Sequence, residues 1–236
     1  MHQEALIERL FETLISGNRP AARTFVNQAE KILGSAESVL SDLFWPTHEM
    51  IQKLYRADQL PCLNHHMAVR LLRVMADQQA LKLQQHQRRN RSIFALCGPS
   101  ESEELGAQMA VDLIEANGFD VSFAGGGIAN DEVLARVHEE HPDVLLMFSS
   151  AAQDLPNIRA MIDTLHEIGA CPKLQIAVGG GVFNRAEGLA DEIGADIYAS
   201  NPLEMVESLV HDADIRCGIQ QRTVGRNRTK QQRKAA

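Results

Sequence analysis

Three short segments of this chain combine glycines, hydroxyls and carboxylates as ligand-binding loops do. They are Cys97-Gly98-Pro99-Ser100-Glu101-Ser102-Glu103-Glu104-Leu105-Gly106, Phe148-Ser149-Ser150 and Val178-Gly179-Gly180-Gly181. Glycine-rich turns that run into helices bind anions through free backbone N–H groups, so a phosphate cradle is the first chemistry to weigh. Glu101, Glu103 and Glu104 would repel a phosphate, and neither G-x-G-x-x-G nor G-x-x-x-x-G-K is present. A receiver domain needs a phosphorylatable aspartate and a lysine at two strand ends, where this chain has Phe148-Ser149 and Tyr198-Ala199-Ser200. Ser100-x-x-Glu103 has the spacing of a capping box, which assigns Glu103 to the start of a helix. Three successive glycines cost backbone entropy, and Gly179, Gly180 and Gly181 therefore mark a close approach of backbone or ligand. No Ser-His-Asp, Cys-His or paired-carboxylate spacing supports catalysis, so the chain reads as a non-enzyme.

The elements that must position these loops change character near residue 90. From Ala5 to about Lys82 the apolar spacing is helical, with Leu6-Ile7-Leu10-Leu14 and Ala22-Phe25-Val26-Ala29-Ile32-Leu33 as its first two stretches. Four helices fit, with Pro61 in the first turn of the last and Pro46 kinking or restarting the third. The polar stretch 84–92 is a linker. Beyond it, apolar strands near 93–98, 119–124, 144–149, 174–179 and 196–199 alternate with helices near 103–117, 131–140, 155–168, 185–193 and 203–211. That alternation predicts an α/β fold: an N-terminal four-helix bundle, then a flavodoxin-like, Rossmann-like five-stranded parallel sheet of order 2-1-3-4-5. The domains expected are a helical cap over 1–88, a sheet domain over 92–214 and a basic tail over 215–236. The crevice of such a sheet opens at the carboxyl ends of its first and third strands, which selects the same three loops.

Glu101-x-Glu103-Glu104-Leu105-Gly106 resembles the E-x-H-E-L-G version of the cobalamin (B12)-binding motif, with Glu103 at the position of the histidine. The resemblance is to stand-alone two-domain regulators of the kind found among cobalamin-dependent photoreceptors and antirepressors. It implies that the missing histidine would ligate cobalt from below, that Phe148 replaces a serine meeting the displaced benzimidazole tail, and that Gly179 and Gly180 leave that tail room. In the helical half, Tyr55-x9-His65-His66 stands where relatives have a W-x9-E-H motif covering the upper corrin face. Adjacent helical positions lie about 100° apart, so at most one of His65 and His66 can point squarely at the sheet domain. The resemblance implies cofactor contacts at Tyr55, His65, His66, Glu101, Glu103, Gly106, Phe148, Ser149, Ser150, Gly179, Gly180 and Gly181, with His66 as a metal ligand. Cobalamin without a protein lower ligand is the first cofactor implied, with haem or bilin as others and a ligand-free site as a further alternative.

The net charge of -8 is uneven, because the stretch from Arg216 onward carries only basic charges. Such a tail adds at most weak, sequence-blind affinity for nucleic acid. Cys62, Cys97, Cys171 and Cys217 have no C-x-x-C spacing, and no apolar run approaches a membrane span; both fit a cytoplasmic protein. Three functions follow. The first is a sensor or transcription regulator holding a tetrapyrrole between bundle and sheet and signalling to a protein partner. The second is a ligand-free interaction module, with Phe148 filling the tail's place, and the third is a corrinoid carrier for a methyltransferase.

Overall fold

The computed structural model describes residues 3–169 and 171–216, which form two compact units. One comprises residues 1–87 with 108–118, and the other residues 88–107 with 119 onward. Of the basic tail expected over 215–236, all but Ile215 and Arg216 lies outside the described residues. Among the described residues no helix is long and apolar enough to cross a membrane.

The helical unit starts with α1 (Gln3–Ile15), whose Leu6, Leu10 and Leu14 recur every four residues and are buried. In α2 (Arg19–Leu33) the side chain of Asn18 accepts from Ala21 N–H, and Gly34 at φ 83° returns its own N–H to Glu30 O. Both ends are thus closed, one by a side-chain cap and one by a left-handed glycine. A short α3 (Ala36–Ser38) passes into a π-helical segment (Val39–Phe44) and then α4 (Trp45–Arg56). Pro46 explains this irregularity, since it has no N–H to give the carbonyl of Asp42. Gln3 Nε2 donates to that carbonyl instead, at 2.8 Å. The proline therefore restarts the helix through a change of winding. The last bundle helix, α5 (Cys62–Ala80), begins after Pro61, which sits at the cap and not inside the first turn as its spacing predicted.

In the sheet unit, β1 (Ser92–Cys97), β2 (Asp120–Gly126), β3 (Val144–Phe148), β4 (Gln175–Gly179) and β5 (Ile197–Ala199) are all parallel, in the order β2-β1-β3-β4-β5. Strand ends match those read from the sequence to within two residues. β3 and β4 are buried along their whole length, as strands covered on both faces must be, whereas the edge strand β2 has no fully buried residue. The crossovers are α6 (Glu101–Ala116), α7 (Asn130–Glu140), α8 (Leu155–Ile168), α9 (Gly181–Arg185), α10 (Leu189–Ile193) and finally α11 (Pro202–His211). A single helix expected over 185–193 is instead broken, because Ala186 is extended and Gly188 takes φ 78°. One face of the sheet buries Phe94, Leu96, Leu145, Met147, Ile176 and Val178 against residues of α7 to α10.

Candidate functional site

Register brings the loops together. Cys97 pairs with Phe148, Phe148 with Gly179 and Gly179 with Ala199, so the strands that carry the loops end level with one another. Backbone bonds continue past the ends: Gly98 N–H donates to Phe148 O (3.1 Å), Ser149 N–H to Gly179 O (3.0 Å) and Val182 N–H to Ser149 O (3.2 Å). Gly106 lies buried in the second turn of α6, and Glu101 is half-buried at its start.

Glu103 performs only half of its capping box. Its N–H donates to Ser100 Oγ at 3.2 Å, as the motif requires. Its carboxylate, however, accepts Ser100 Oγ–H on Oε2 (2.7 Å) and the backbone N–H of Ser150 on Oε1 (2.7 Å). The side chain therefore fastens the loop after β1 to the loop after β3. A Cβ on Gly98 would come within 2.5 Å of this carboxylate, which is why a glycine stands there. Asp154 joins the same corner, with Oδ2 lying 3.2 Å from Ser149 Oγ. Burial, and then the charge of Glu103, push the Asp154 carboxyl up from its ordinary range, against the Ser149 bond.

The three glycines admit protein atoms. Space above Gly179 is taken by the ring of Phe148, 3.3 Å from where a Cβ would be, and by Met205 at 3.5 Å. Gly180, at φ 103°, lets Ser149 O approach to 2.4 Å of its Cβ position, and Gly181 leaves room for the guanidinium of Arg185. That guanidinium donates to Ser150 O at 2.6 Å, so Ser150 is held through its N–H by Glu103 and through its carbonyl by Arg185. Asp154 and Arg185 were not singled out from sequence. The signal for Arg185 is a cation one turn beyond a glycine run; Asp154 carries none, because its role depends on burial.

An open cavity of about 310 Å³ remains at this edge, beside the ends of β1 and β3. Leu96, Met147, Ile158 and Met161 wall it, and Asp154 and Asn157 are its polar groups nearest α8.

In the helical unit, Tyr55, His65 and His66 come together. The rings of Tyr55 and His65 stack with centroids 3.9 Å apart and planes 16° from parallel. Gln52 Nε2 lies 3.1 Å from His65 Nε2, and His66 meets the His65 ring edge-on at 5.7 Å. His65 is buried and His66 exposed, as adjacent positions on one helix require. Among the described residues no three His, Cys, Asp or Glu side chains are grouped to hold a metal ion, so His66 has no protein co-ligands there.

Residues 91–207 match the family described as B12 binding domain. This part of the chain belongs to the B12-binding domain family. The chain is 28% identical over 103 residues to dimethylamine corrinoid protein 3 of Methanosarcina mazei, an alignment covering 44% of this chain and 60% of that protein, which is less than two thirds of the relative's length. A longer alignment, 22% identical over 206 residues, spans 86% of this chain and 94% of dimethylamine corrinoid protein 1 of the same organism. The structure of the Methanosarcina barkeri monomethylamine corrinoid protein has the same fold, with a TM-score of 0.78 at 14% identity over 89% of this chain and 100% of that one.

Residues of the B12-binding unit do not fit a corrinoid gripped by a protein imidazole with its nucleotide tail over the β4 glycines. The carboxylate of Glu103, which the motif resemblance sets in place of an imidazole, is already committed to Ser100 and Ser150. The Phe148 ring fills the space over Gly179.

Proposed function

We propose that the protein is a non-catalytic corrinoid carrier, binding a corrinoid at the carboxyl edge of its sheet without a protein ligand below cobalt and presenting it to a partner methyltransferase in the cytoplasm. One observation carries this reading: the unit that matches the B12-binding family keeps an open, apolar-walled cavity at the β1/β3 crevice, where sheets of this order hold their ligands. The likeness to corrinoid proteins favours a corrinoid over haem or bilin, and a carrier over a light sensor or transcription regulator. The test is titration of the purified protein with hydroxocobalamin, followed by gel filtration and absorbance. Co-elution of one corrinoid per chain is expected; a colourless protein that retains none would remove the proposal.

The ligand-free interaction module is favoured by a specific observation of its own, the filling of the Gly179 face by Phe148 and Met205. Stoichiometric capture of a purified methyltransferase by protein free of corrinoid, together with no retention of hydroxocobalamin, would establish it over the carrier.

A further inference from the structure

A groove runs through the helical unit between α2 and the end of α5. Two open cavities of about 380 and 640 Å³ meet at Asn27, and together they follow α2 from Arg23 to Gly34. The α2 residues that line them recur every three or four positions and so share one side of the helix over about 16 Å. A pocket for a small molecule encloses most of its ligand, whereas a long open trough suits an extended peptide. Val26 and Met75 are buried in its wall, and Leu81, just past α5, carries that apolar surface outward at 90% exposure. Arg23, Lys31 and Lys82 are cations of the same groove, and the one carboxylate lining it, Glu30, is held by Lys82 Nζ at 2.7 Å. Neither Arg23 nor Lys31 has an ion pair among the described residues. That excess of positive charge, in a chain of net charge -8, attracts an acidic occupant and repels the chain's own basic stretch from Arg216 onward. Gln79, which also lines the groove, adds the need for a donor. Its Nε2 donates to Glu30 Oε2 at 3.2 Å, which fixes the other end of the carboxamide as an acceptor, and Oε1 is buried with no hydrogen-bond partner among the described residues. A buried acceptor left unmatched is costly, and a backbone N–H is the donor that an extended peptide brings. We propose that the α2–α5 groove docks an acidic, leucine-bearing extended segment of a partner protein, with its carboxylates on Arg23 and Lys31, an aliphatic side chain against Val26, Met75 and Leu81, and a backbone N–H on Gln79 Oε1.

The groove lies in the helical unit and goes beyond the corrinoid-carrier reading, which its test leaves untouched. Two fluorescein-labelled peptides of about twelve residues serve as probes, one alternating glutamate with leucine and the other lysine with leucine, each titrated by anisotropy with the full chain. Wild type is expected to bind the acidic peptide more tightly than the basic one by about tenfold or more. Arg23→Glu combined with Lys31→Glu should reverse that preference, and Leu81→Ser and Gln79→Met should each weaken the acidic peptide by about tenfold. Arg23, Lys31 and Leu81 are exposed, so their variants keep the fold even where Gln79→Met does not, and urea midpoints check this. Lys173→Glu, an exposed charge reversal in the sheet unit, should bind the acidic peptide as wild type does. No saturable binding of the acidic peptide, equal binding of the two peptides, wild-type affinity in any folded groove variant, or an equal loss in Lys173→Glu overturns the proposal. Self-association of wild type that Leu81→Ser abolishes, measured by sedimentation velocity, also overturns it, because the groove then belongs to a second copy.

Discussion

At the residue scale the decisive side chain is Glu103, which holds two loops whose strands are far apart in sequence. Removing it leaves Ser150 N–H without its partner in a half-buried loop, at a cost of about 2 kcal/mol. Glu103→Ala should therefore lower the urea midpoint, and Glu103→Gln, which keeps an acceptor for Ser150, should lose less. Equal losses would mean that the fastening is not what matters. A second substitution tests the alignment on which the family comparison of the loop depends. Glu103→His combined with Phe148→Ser restores an imidazole and opens the space over Gly179, so cobalamin affinity should rise by about tenfold or more. Phe148→Ser also empties part of a packed core at a cost of about 3 kcal/mol, so stability is measured alongside. Unchanged affinity in a folded double variant would show that Glu103 does not stand at the ligand position.

At the scale of elements, glycines with similar backbone angles are expected to differ in consequence. Gly180 has φ 103° and an oxygen 2.4 Å from its Cβ position, whereas Gly188 has φ 78° and nothing within 4 Å. Gly188→Ala should cost only the strain of a left-handed residue, about 1 kcal/mol. Gly180→Ala adds displacement of the Ser149 carbonyl and should cost more than about 3 kcal/mol, with the loop after β3 shifted. Thermal unfolding of the two variants checks this; indistinguishable midpoints would refute the close approach. The same contrast explains what could be read from sequence. Strand ends were legible because each apolar run stops at glycine or hydroxyl residues, and the order of the sheet followed from alternation. Gly188 was taken as a helix interior because spacing alone does not report its backbone angle. Pro46 announced a break, but not the π-helical winding, nor that Gln3, 39 residues away, would donate to the freed Asp42 carbonyl. Likewise the capping box at Ser100 and Glu103 was visible, while the pull of Glu103 toward Ser150 required the β1–β3 register.

On the scale of the whole molecule, the net charge of -8 makes proton binding a global determinant of stability, and one carboxyl in the helical unit stands out. Asp112, on the second half of α6, is pushed up to about 6 by burial, against the bond from Gln108 and with the charges of Asp77 and Glu115 adding to the effect. Gln108 Nε2 donates to Asp112 Oδ1 at 2.6 Å. An unfolded chain gives this carboxyl an ordinary value near 4. Between pH 4 and 6 the folded state therefore holds a proton that the unfolded state has released, so stability falls as pH rises through this window. Above pH 6 the burial penalty is present in full, on the order of 2 kcal/mol after allowance for partial exposure. Asp112→Asn removes the ionisation and keeps an acceptor for Gln108. It should stabilise the protein by about that amount at pH 7.5 and by roughly a third of it at pH 4.5, measured as the difference in urea midpoint from wild type at each pH. A stabilisation of the same size at both pH values would mean that the carboxyl is not the titrating group, because only an ionising Asp112 makes the benefit of its removal grow with pH.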